Sequence, residues 1–167
     1  MFPGPVPDAE RVRRWKETDA MSGLFKKVLC PLDFDSQSLS AIKIAQDALQ
    51  SGGHIRFLHL RCFPFALTTD EAQVPLAESK RRLEAILREG LGRTIPHDIA
   101  VEASDDIAGS IVHHARDMHA DCIVLATHAR RGVDKILLGS IAEQVMREAP
   151  CPVLTIARPS LPANLEP

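Results

Sequence analysis

The sequence has no excess of positive charge and no long apolar run. Its 20 lysines and arginines against 22 aspartates and glutamates give a formal net charge of −2, which excludes the basic surface expected of a nucleic-acid or anionic-lipid binder. The longest apolar runs, such as residues 122–126 and 152–157, have the length of strands, whereas a membrane helix needs about 18 residues or more. The first residues also show no apolar segment typical of a secretory signal. We therefore expect a cytoplasmic protein with no nucleic-acid partner and no membrane partner.

Cysteine is scarce, and its spacing fits no redox or metal motif. The four cysteines form no CxxC pair, and three of them adjoin apolar, strand-like runs, where a free thiol acts as a small hydrophobic side chain. Histidine offers no metal site either. His113 and His114 would point about 100° apart on a helix, and the step from His114 to His119 does not place two ligands on one face. We expect solvated helix-face histidines and no metal.

Three common catalytic or nucleotide-binding motifs are absent. The sequence contains no GxxxxGK[ST] phosphate loop, no GxGxxG after the first predicted strand and no GxSxG nucleophile elbow. No two carboxylates are spaced for acid–base catalysis, and Asp105 and Asp106 are better explained by helix capping. The sequence thus indicates no catalytic residue.

The two ends of the chain differ in composition from its middle. Six of the 12 prolines lie outside residues 23–157, and proline interrupts regular helices and strands. We expect residues 1–22 to be a flexible N-terminal extension, residues 23–158 to form one domain and residues 159–167 to be a flexible tail. A length of 167 residues suits a single domain.

Between the ends, apolar runs alternate with amphipathic stretches. The runs predict five strands, at residues 27–31, 55–60, 97–101, 122–126 and 152–157. Apolar residues between these runs recur every three or four positions, as on one face of a helix. This alternation predicts an α/β fold with a parallel sheet and helices on both faces. Ligands bind such sheets outside the carboxyl ends of the strands, which here are residues 31–35, 60–64, 126–131 and 139–140.

Local signals predict where the first three helices begin or end. Gly52 and Gly53 mark the end of the first helix, whose apolar stripe reaches Leu49. Residues 61–74 are predicted to form a loop before the second helix. Asp105 is the predicted N-cap of the third helix, because a short acidic side chain can accept the free backbone N–H groups there.

A separate signal predicts the fourth helix. Ser140 and Glu143 have the spacing of a capping box, in which each side chain bonds the other residue's backbone N–H. The apolar residues Ile141, Val145 and Ala149 recur every four positions. We expect these three side chains to form the buried face of the helix.

Two segments of the sequence resemble a known family. Universal stress proteins contain similar segments to VLCPLDFD near the start and LATHARRGVDKILLGSIAEQVMREAPCPVLTI near the end. The order of predicted elements between the two segments is also similar to that family. The resemblance covers residues 25–157. It implies a Rossmann-like sheet of five parallel strands in the order 3-2-1-4-5. It also implies a homodimer in which the last strand, Val153–Ala157, pairs with its copy in the antiparallel direction.

The resemblance further implies candidate nucleotide-binding residues. One branch of the family binds ATP through Gly-x-x-Gly, nine residues and then Gly-Ser/Thr, and another branch lacks this motif and binds no nucleotide. By this resemblance, Asp33 contacts adenine and Leu60 lines the base pocket. The motif positions are Ala126, Ala129, Gly139 and Ser140. Their neighbours complete the predicted site: Pro31, Leu32, Leu125, His128 and Ile141, with Arg130 and Arg131 as phosphate contacts. The implied cofactor is ATP or another adenine nucleotide, with or without Mg²⁺.

The chain departs from the ATP-binding pattern because alanine replaces the first two glycines. Alanine keeps the backbone amide but adds a methyl group, and a left-handed conformation would cost it about 1–2 kcal/mol. Ala126 ends a predicted strand, where alanine is tolerated, whereas Ala129 lies in the predicted loop. Gly139 and Ser140 keep the pattern at a helix N-terminus, which favours anions.

Three functional hypotheses follow from these residues. The first is a regulatory or sensing protein that binds an adenine nucleotide and at most hydrolyses it slowly. The second is a nucleotide-free dimeric interaction protein. The third is an enzyme that uses Ser140 or Asp33 directly, for example in autophosphorylation. Simpler interpretations also stand, with Gly139 as a turn and Arg130 and Arg131 as a solvated pair.

Overall fold

The chain folds into five strands and four helices that alternate along the sequence. The computed structural model describes residues 23–34, 38–62, 69–91, 95–127 and 139–157. Within these ranges the elements in chain order are β1 (Phe25–Pro31), α1 (Ser38–Ala48), β2 (Leu49–Arg61), α2 (Thr69–Gly90), β3 (His97–Ala103), α3 (Ile107–Asp117), β4 (Cys122–Thr127), α4 (Ser140–Glu148) and β5 (Val153–Ala157).

All five strands join one parallel sheet in the order β3-β2-β1-β4-β5. Every crossover between neighbouring parallel strands passes through a helix, which is the usual way to connect such strands. The α/β fold and the strand order predicted from the sequence are confirmed. β5 is an edge strand, and no strand of the described chain pairs with its outer side.

Two apolar cores lie on opposite faces of the sheet. Side chains of α1 and α2, such as Ile42 and Leu83, pack against one face. Side chains of α3 and α4, such as Ile111 and Val145, pack against the other. Successive strand residues point to opposite faces, so Val28 belongs to the first core and Leu29 to the second. Helices on both faces, as predicted, explain why residues 28–31 of β1 and 122–126 of β4 are continuous apolar runs.

Two boundaries differ from the prediction. α1 ends at Ala48 and β2 begins at Leu49, so Leu49 is a strand residue and the glycines lie inside β2. Gly53 fits there because a Cβ would lie 2.8 Å from Lys26 O. α2 begins at Thr69 and continues through Pro75, although residues 61–74 were predicted to be a loop. The first turns of α2 are polar and show no apolar stripe, so their sequence gives no helical signal.

Both predicted N-caps are displaced by one residue. Asp106, not Asp105, caps α3 and accepts a 2.9 Å hydrogen bond from the Gly109 N–H. The N-cap of α4 is Gly139, and no side chain caps it. Ser140 is already the first helical residue, so its hydroxyl lies beyond the capping position. The predicted capping box is therefore wrong, and the Glu143 N–H instead donates to Gly139 O at 3.0 Å.

A polar cluster connects β2 to β3 away from the apolar cores. His54 and Arg56 both donate hydrogen bonds to the Asp98 carboxylate. Burial alone would raise the pKa of Asp98, but these two bonds outweigh it and hold the pKa below its ordinary value of 3.8. A carboxyl group with a lowered folded-state pKa stabilises the fold at pH values above its ordinary pKa and loses that contribution as the pH falls.

Replacing Asp98 by Asn should therefore destabilise the protein more near neutral pH than at pH 3. We expect the free energy of unfolding to fall by up to about 1 kcal/mol at pH 7, because Asp98 and its partners His54 and Arg56 are partly exposed. Urea unfolding of wild type and Asp98→Asn at both pH values measures the difference. Asp47→Asn, at an exposed position of α1, is the matched control. An Asp98→Asn effect of equal size at both pH values would contradict the assignment.

Candidate functional site

A cleft opens where the carboxyl ends of β1, β2 and β4 meet the start of α3 and α4. It encloses about 130 Å³, close to the roughly 150 Å³ of a cavity that accepts a benzene ring. Strand order reverses beside β1, which lies between β2 and β4, and ligands of parallel sheets bind at such a reversal. The described residues that line the cleft are Pro31, Leu32, Asp33, Leu58, Leu60, Ile107, Ile111, Leu125, Ala126, Thr127, Gly139, Ile141 and Ala142.

The structure brings most of the predicted site residues to this cleft. Eight of them lie in its wall: Pro31, Leu32, Asp33, Leu60, Leu125, Ala126, Gly139 and Ile141. Ser140 is exposed beside the cleft at the first turn of α4 and is not among the lining residues. His128, Ala129, Arg130 and Arg131 lie outside the described residues. The role of each residue in binding stays a prediction.

One predicted site residue was also assigned wrongly to a buried helix face. Ile141 is 43% exposed and lines the cleft. The buried residues of α4 are Ala142 and Val145, three positions apart, and Ala149 packs partly against the same core. Only the first member of the predicted stripe is wrong, because Ala142 and not Ile141 is buried with Val145.

Five lining residues were not predicted from the sequence. Leu58 precedes the predicted Leu60 by two positions, so both side chains point to the same face of β2. Ile107 and Ile111 belong to the apolar residues that recur every three or four positions between the predicted strands, but periodicity alone does not show that they extend beyond the core into a cleft. Thr127 and Ala142 adjoin predicted residues, and proximity to those residues was the only available signal.

The wall of the cleft is apolar apart from a few groups. Among the described lining residues, Asp33 is the one ionisable side chain, and it is exposed. α4 begins at the cleft, with Gly139 as its N-cap. The free N–H groups of a helix N-terminus carry partial positive charge. The site therefore offers an apolar surface, a carboxylate at one end and an anion-favouring helix end.

Gly139 has a conformation that other residues also adopt. Its φ and ψ are −56° and 152°, and among the described residues other than its chain neighbours no heavy atom lies within 4 Å of the position that a Cβ would occupy. The fold would therefore accept a side chain here, unlike at Gly53. Glycine at this position leaves open space in the wall of the cleft.

One of the histidines on α3 is buried, contrary to the prediction. His113 is exposed, but His114 on the same helix is 8% exposed, and its Nε2 lies 3.1 Å from Glu102 Oε2. α3 turns His114 toward the sheet because it is three residues after the buried Ile111.

The described residues contain no group of three side chains suited to hold a metal ion. Within the same ranges, no helix has the length and apolarity needed to cross a membrane.

A comparison with known families covers the same region as the fold. Residues 24–157 match the model of the universal stress protein family. The chain belongs to this family. A universal stress protein of Thermus aquaticus is 28% identical over 137 residues, which are 80% of this chain and 99% of that relative. Universal stress protein MJ0531 of Methanocaldococcus jannaschii is 46% identical over 52 residues, but the match spans only 31% of each protein.

Solved structures share the architecture. Hypothetical protein MJ0577 superposes with a TM-score of 0.60 at 25% identity over 83% of this chain and 99% of that one. A universal stress protein solved in complex with cAMP has a TM-score of 0.58 at 22% identity over 81% and 98% of the two chains. A universal stress protein from Archaeoglobus fulgidus in complex with dAMP has a TM-score of 0.55 at 18% identity over 80% and 98%. These likenesses confirm the family's sheet and helix arrangement in this chain.

Proposed function

We propose that this universal stress protein binds ATP or another adenine nucleotide in the cleft and serves a regulatory or sensing role in the cytoplasm. The observation that carries the proposal is the composition of the cleft. Its apolar wall suits a flat base, Asp33 can accept hydrogen bonds from the base, and the start of α4 can receive phosphate. Two solved proteins of the same fold bind cAMP and dAMP, which supports an adenine nucleotide as the class of ligand.

Gly139 supports the position of the phosphates. The part of the fold that the structure describes does not require glycine there, because its backbone angles are ordinary and a Cβ would meet no described residue beyond its chain neighbours. A glycine instead allows a ligand to approach the backbone closely. Mg²⁺ would be held chiefly through phosphate oxygens, as is usual for this ion. The described protein residues contain no cluster of ligands of their own.

A second candidate function is a nucleotide-free, dimeric interaction protein. The observation that favours it is the replacement of two motif glycines by Ala126 and Ala129. The presence or absence of a copurified adenine nucleotide distinguishes the two candidate functions. Acid extraction of freshly purified protein, followed by chromatography and mass spectrometry, should release an adenine nucleotide if the first is correct. Protein that carries none and binds none at millimolar concentration would favour the second.

Two substitutions test the orientation of the nucleotide. Asp33→Ala should weaken ATP, ADP and adenosine by similar factors of roughly tenfold, because it removes a charged hydrogen-bond partner of the base. Ser140→Ala should weaken ATP more than adenosine, because Ser140 lies at the phosphate end. The melting temperature of the Ser140→Ala variant should equal that of wild type, since Gly139 and not Ser140 is the N-cap. Calorimetric titration measures the affinities, with Asp47→Ala as the control. Equal effects of Ser140→Ala on ATP and adenosine would contradict the orientation.

A further inference from the structure

The residue that follows Asp33 has a strained backbone. Phe34 has a φ of 69°, in the left-handed region that bulky side chains rarely adopt because of steric clashes. Such a conformation is costly and persists only where surrounding contacts enforce it. Phe34 lies directly beside a residue of the cleft wall. The contacts that hold Phe34 therefore also determine the backbone of Asp33.

Two side chains enclose the Phe34 ring. The ring of His59, from β2, lies with its centroid 3.9 Å from that of Phe34 and tilted by 34°. The guanidinium carbon of Arg82, from α2, lies 4.6 Å from the ring centroid, a distance typical of a cation–π contact. The segment after β1 is thus held between a strand and a helix by a stack of three side chains.

His59 also holds the residue before Asp33. Its Nδ1 lies 2.8 Å from Leu32 O, and a carbonyl can only accept, so the proton is on Nδ1. The Leu32 N–H donates to Leu58 O at 2.8 Å. Leu32 is therefore bound to β2 through both its amide and its carbonyl. His59 contacts the residues on both sides of Asp33.

His59 does this from outside the cleft. Leu58 and Leu60 line the cleft, whereas His59 between them does not, because alternate strand residues point to opposite faces. His59 is 6% exposed. Burial lowers its pKa, and the charges of Arg61 and Arg82 act in the same direction, against the opposing effects of the Leu32 carbonyl and of Asp33. The ring is consequently neutral at pH 7, with its proton on Nδ1.

We propose that His59 is a positioning residue for the nucleotide site. It holds Leu32 and Phe34 so that the carboxylate of Asp33 faces the cleft, and it does not touch the ligand. The inference rests on the proposed function for its effect on binding. The contacts of His59 with Leu32 and Phe34, which we call the anchor, exist in the protein without ligand and have their own test.

The binding test compares three replacements of His59. His59→Leu keeps an apolar side chain without a donor, and we expect it to weaken ATP about tenfold, since Asp33 loses its orientation. His59→Asn places an N–H where Nδ1 was but loses the ring contact with Phe34, so its affinity for ATP should lie between those of wild type and His59→Leu. His59→Gln places its N–H at the Nε2 position and should bind ATP as weakly as His59→Leu does. The matched control is His97→Leu, because His97 Nδ1 bonds Ile95 O at the same 2.8 Å but does not line the cleft. Circular dichroism melting verifies that each variant is folded.

A double-mutant cycle tests whether His59 acts through Asp33. If it does, adding His59→Leu to Asp33→Ala should weaken ATP no further, because the oriented group is already absent. Losses of ATP affinity that add in the double variant would overturn the positioning role. So would a wild-type affinity for ATP in His59→Leu, or equal affinities for ATP in His59→Asn and His59→Gln. If His59→Leu does not fold, the comparison of Asn with Gln decides the same question.

Nuclear magnetic resonance tests the anchor without nucleotide. Nitrogen shifts of the imidazole should show a neutral His59 ring with its proton on Nδ1. The ring-proton shifts of Phe34 should change in both His59→Asn and His59→Gln, because each replacement removes the imidazole ring that lies against the Phe34 ring. A wild-type ring protonated on Nε2, or Phe34 shifts that are the same in wild type and both variants, would overturn the inference. Failure of wild type to bind ATP or AMP, with these spectra as expected, would overturn the proposed function and leave the anchor established.

Discussion

Replacing Thr155 by proline is expected to convert the protein from a dimer into a folded monomer. The family resemblance implies that β5 pairs with β5 of a second copy, and the structure places β5 at the edge of the sheet. The Ile123 N–H donates to Pro152 O at 3.0 Å. Backbone groups of alternate residues point to alternate sides of a strand, so those of Leu154 and Ile156 also face β4. The N–H of Thr155 therefore faces outward, where a second strand would pair.

Proline at position 155 removes this outward N–H and leaves the pairing with β4 intact. Proline is tolerated in an edge strand when its missing N–H faces solvent. Lysine at Leu154 or Ile156 would be a poorer test, because both side chains pack against the first core. Light scattering at micromolar concentration measures the assembly, and circular dichroism verifies the fold.

Thr155→Val is the matched control for this experiment. It keeps the N–H and suits a strand, so it should remain dimeric. A folded Thr155→Pro variant that is still a dimer would place the interface elsewhere on the surface. Wild type that is monomeric at the same concentration would show that the family's mode of pairing does not apply to this chain.

The sequence predicted the fold where a single physical signal dominates. β1, β4 and β5 are short, continuous apolar runs, and their predicted bounds lie within two residues of those observed. Ile111 and Ala115, two of the five buried residues of α3, belong to the apolar residues that recur every three or four positions between the predicted strands. The central strands and the amphipathic helices thus needed no tertiary information.

The sequence failed where tertiary contacts decide between local alternatives. Gly52 and Gly53 predict the end of a helix, but they lie in β2, where Gly53 packs closely on Lys26. The polar start of α2 has no stripe to indicate a helix. Ser140 could have been an N-cap or a first helical residue, and only the path of the chain at Gly139 distinguishes the two.

The candidate site was predictable in outline because the topology places the strand ends together. Asp33 and Leu60 were identified by resemblance, and the cleft confirms that they lie in one wall. His59 was missed because a histidine between two leucines in a strand carries no motif. Its importance depends on Phe34, 25 residues earlier in the chain, whose ring it contacts.

Replacing Ala129 by glycine should tighten ATP binding, and replacing Ala126 should not. Ala126 lies in β4, paired with Ile156, and an extended strand suits alanine. Ala126→Gly should therefore leave the affinity nearly unchanged and cost about 0.5–1 kcal/mol of stability. Residue 129 lies outside the described residues. Its predicted effect rests on the family's use of glycine in the phosphate loop.

If the loop at residue 129 needs a left-handed backbone, alanine costs about 1–2 kcal/mol there. Removing that cost should lower the dissociation constant of ATP by about 5- to 30-fold. AMP and adenosine should gain less, because the loop faces the outer phosphates in this assignment. Calorimetric titration of wild type, Ala126→Gly and Ala129→Gly with ATP and adenosine gives the comparison. Wild type that binds no ATP at millimolar concentration, together with an Ala129→Gly variant that binds none either, would reject the nucleotide site and leave the dimeric interaction protein as the function.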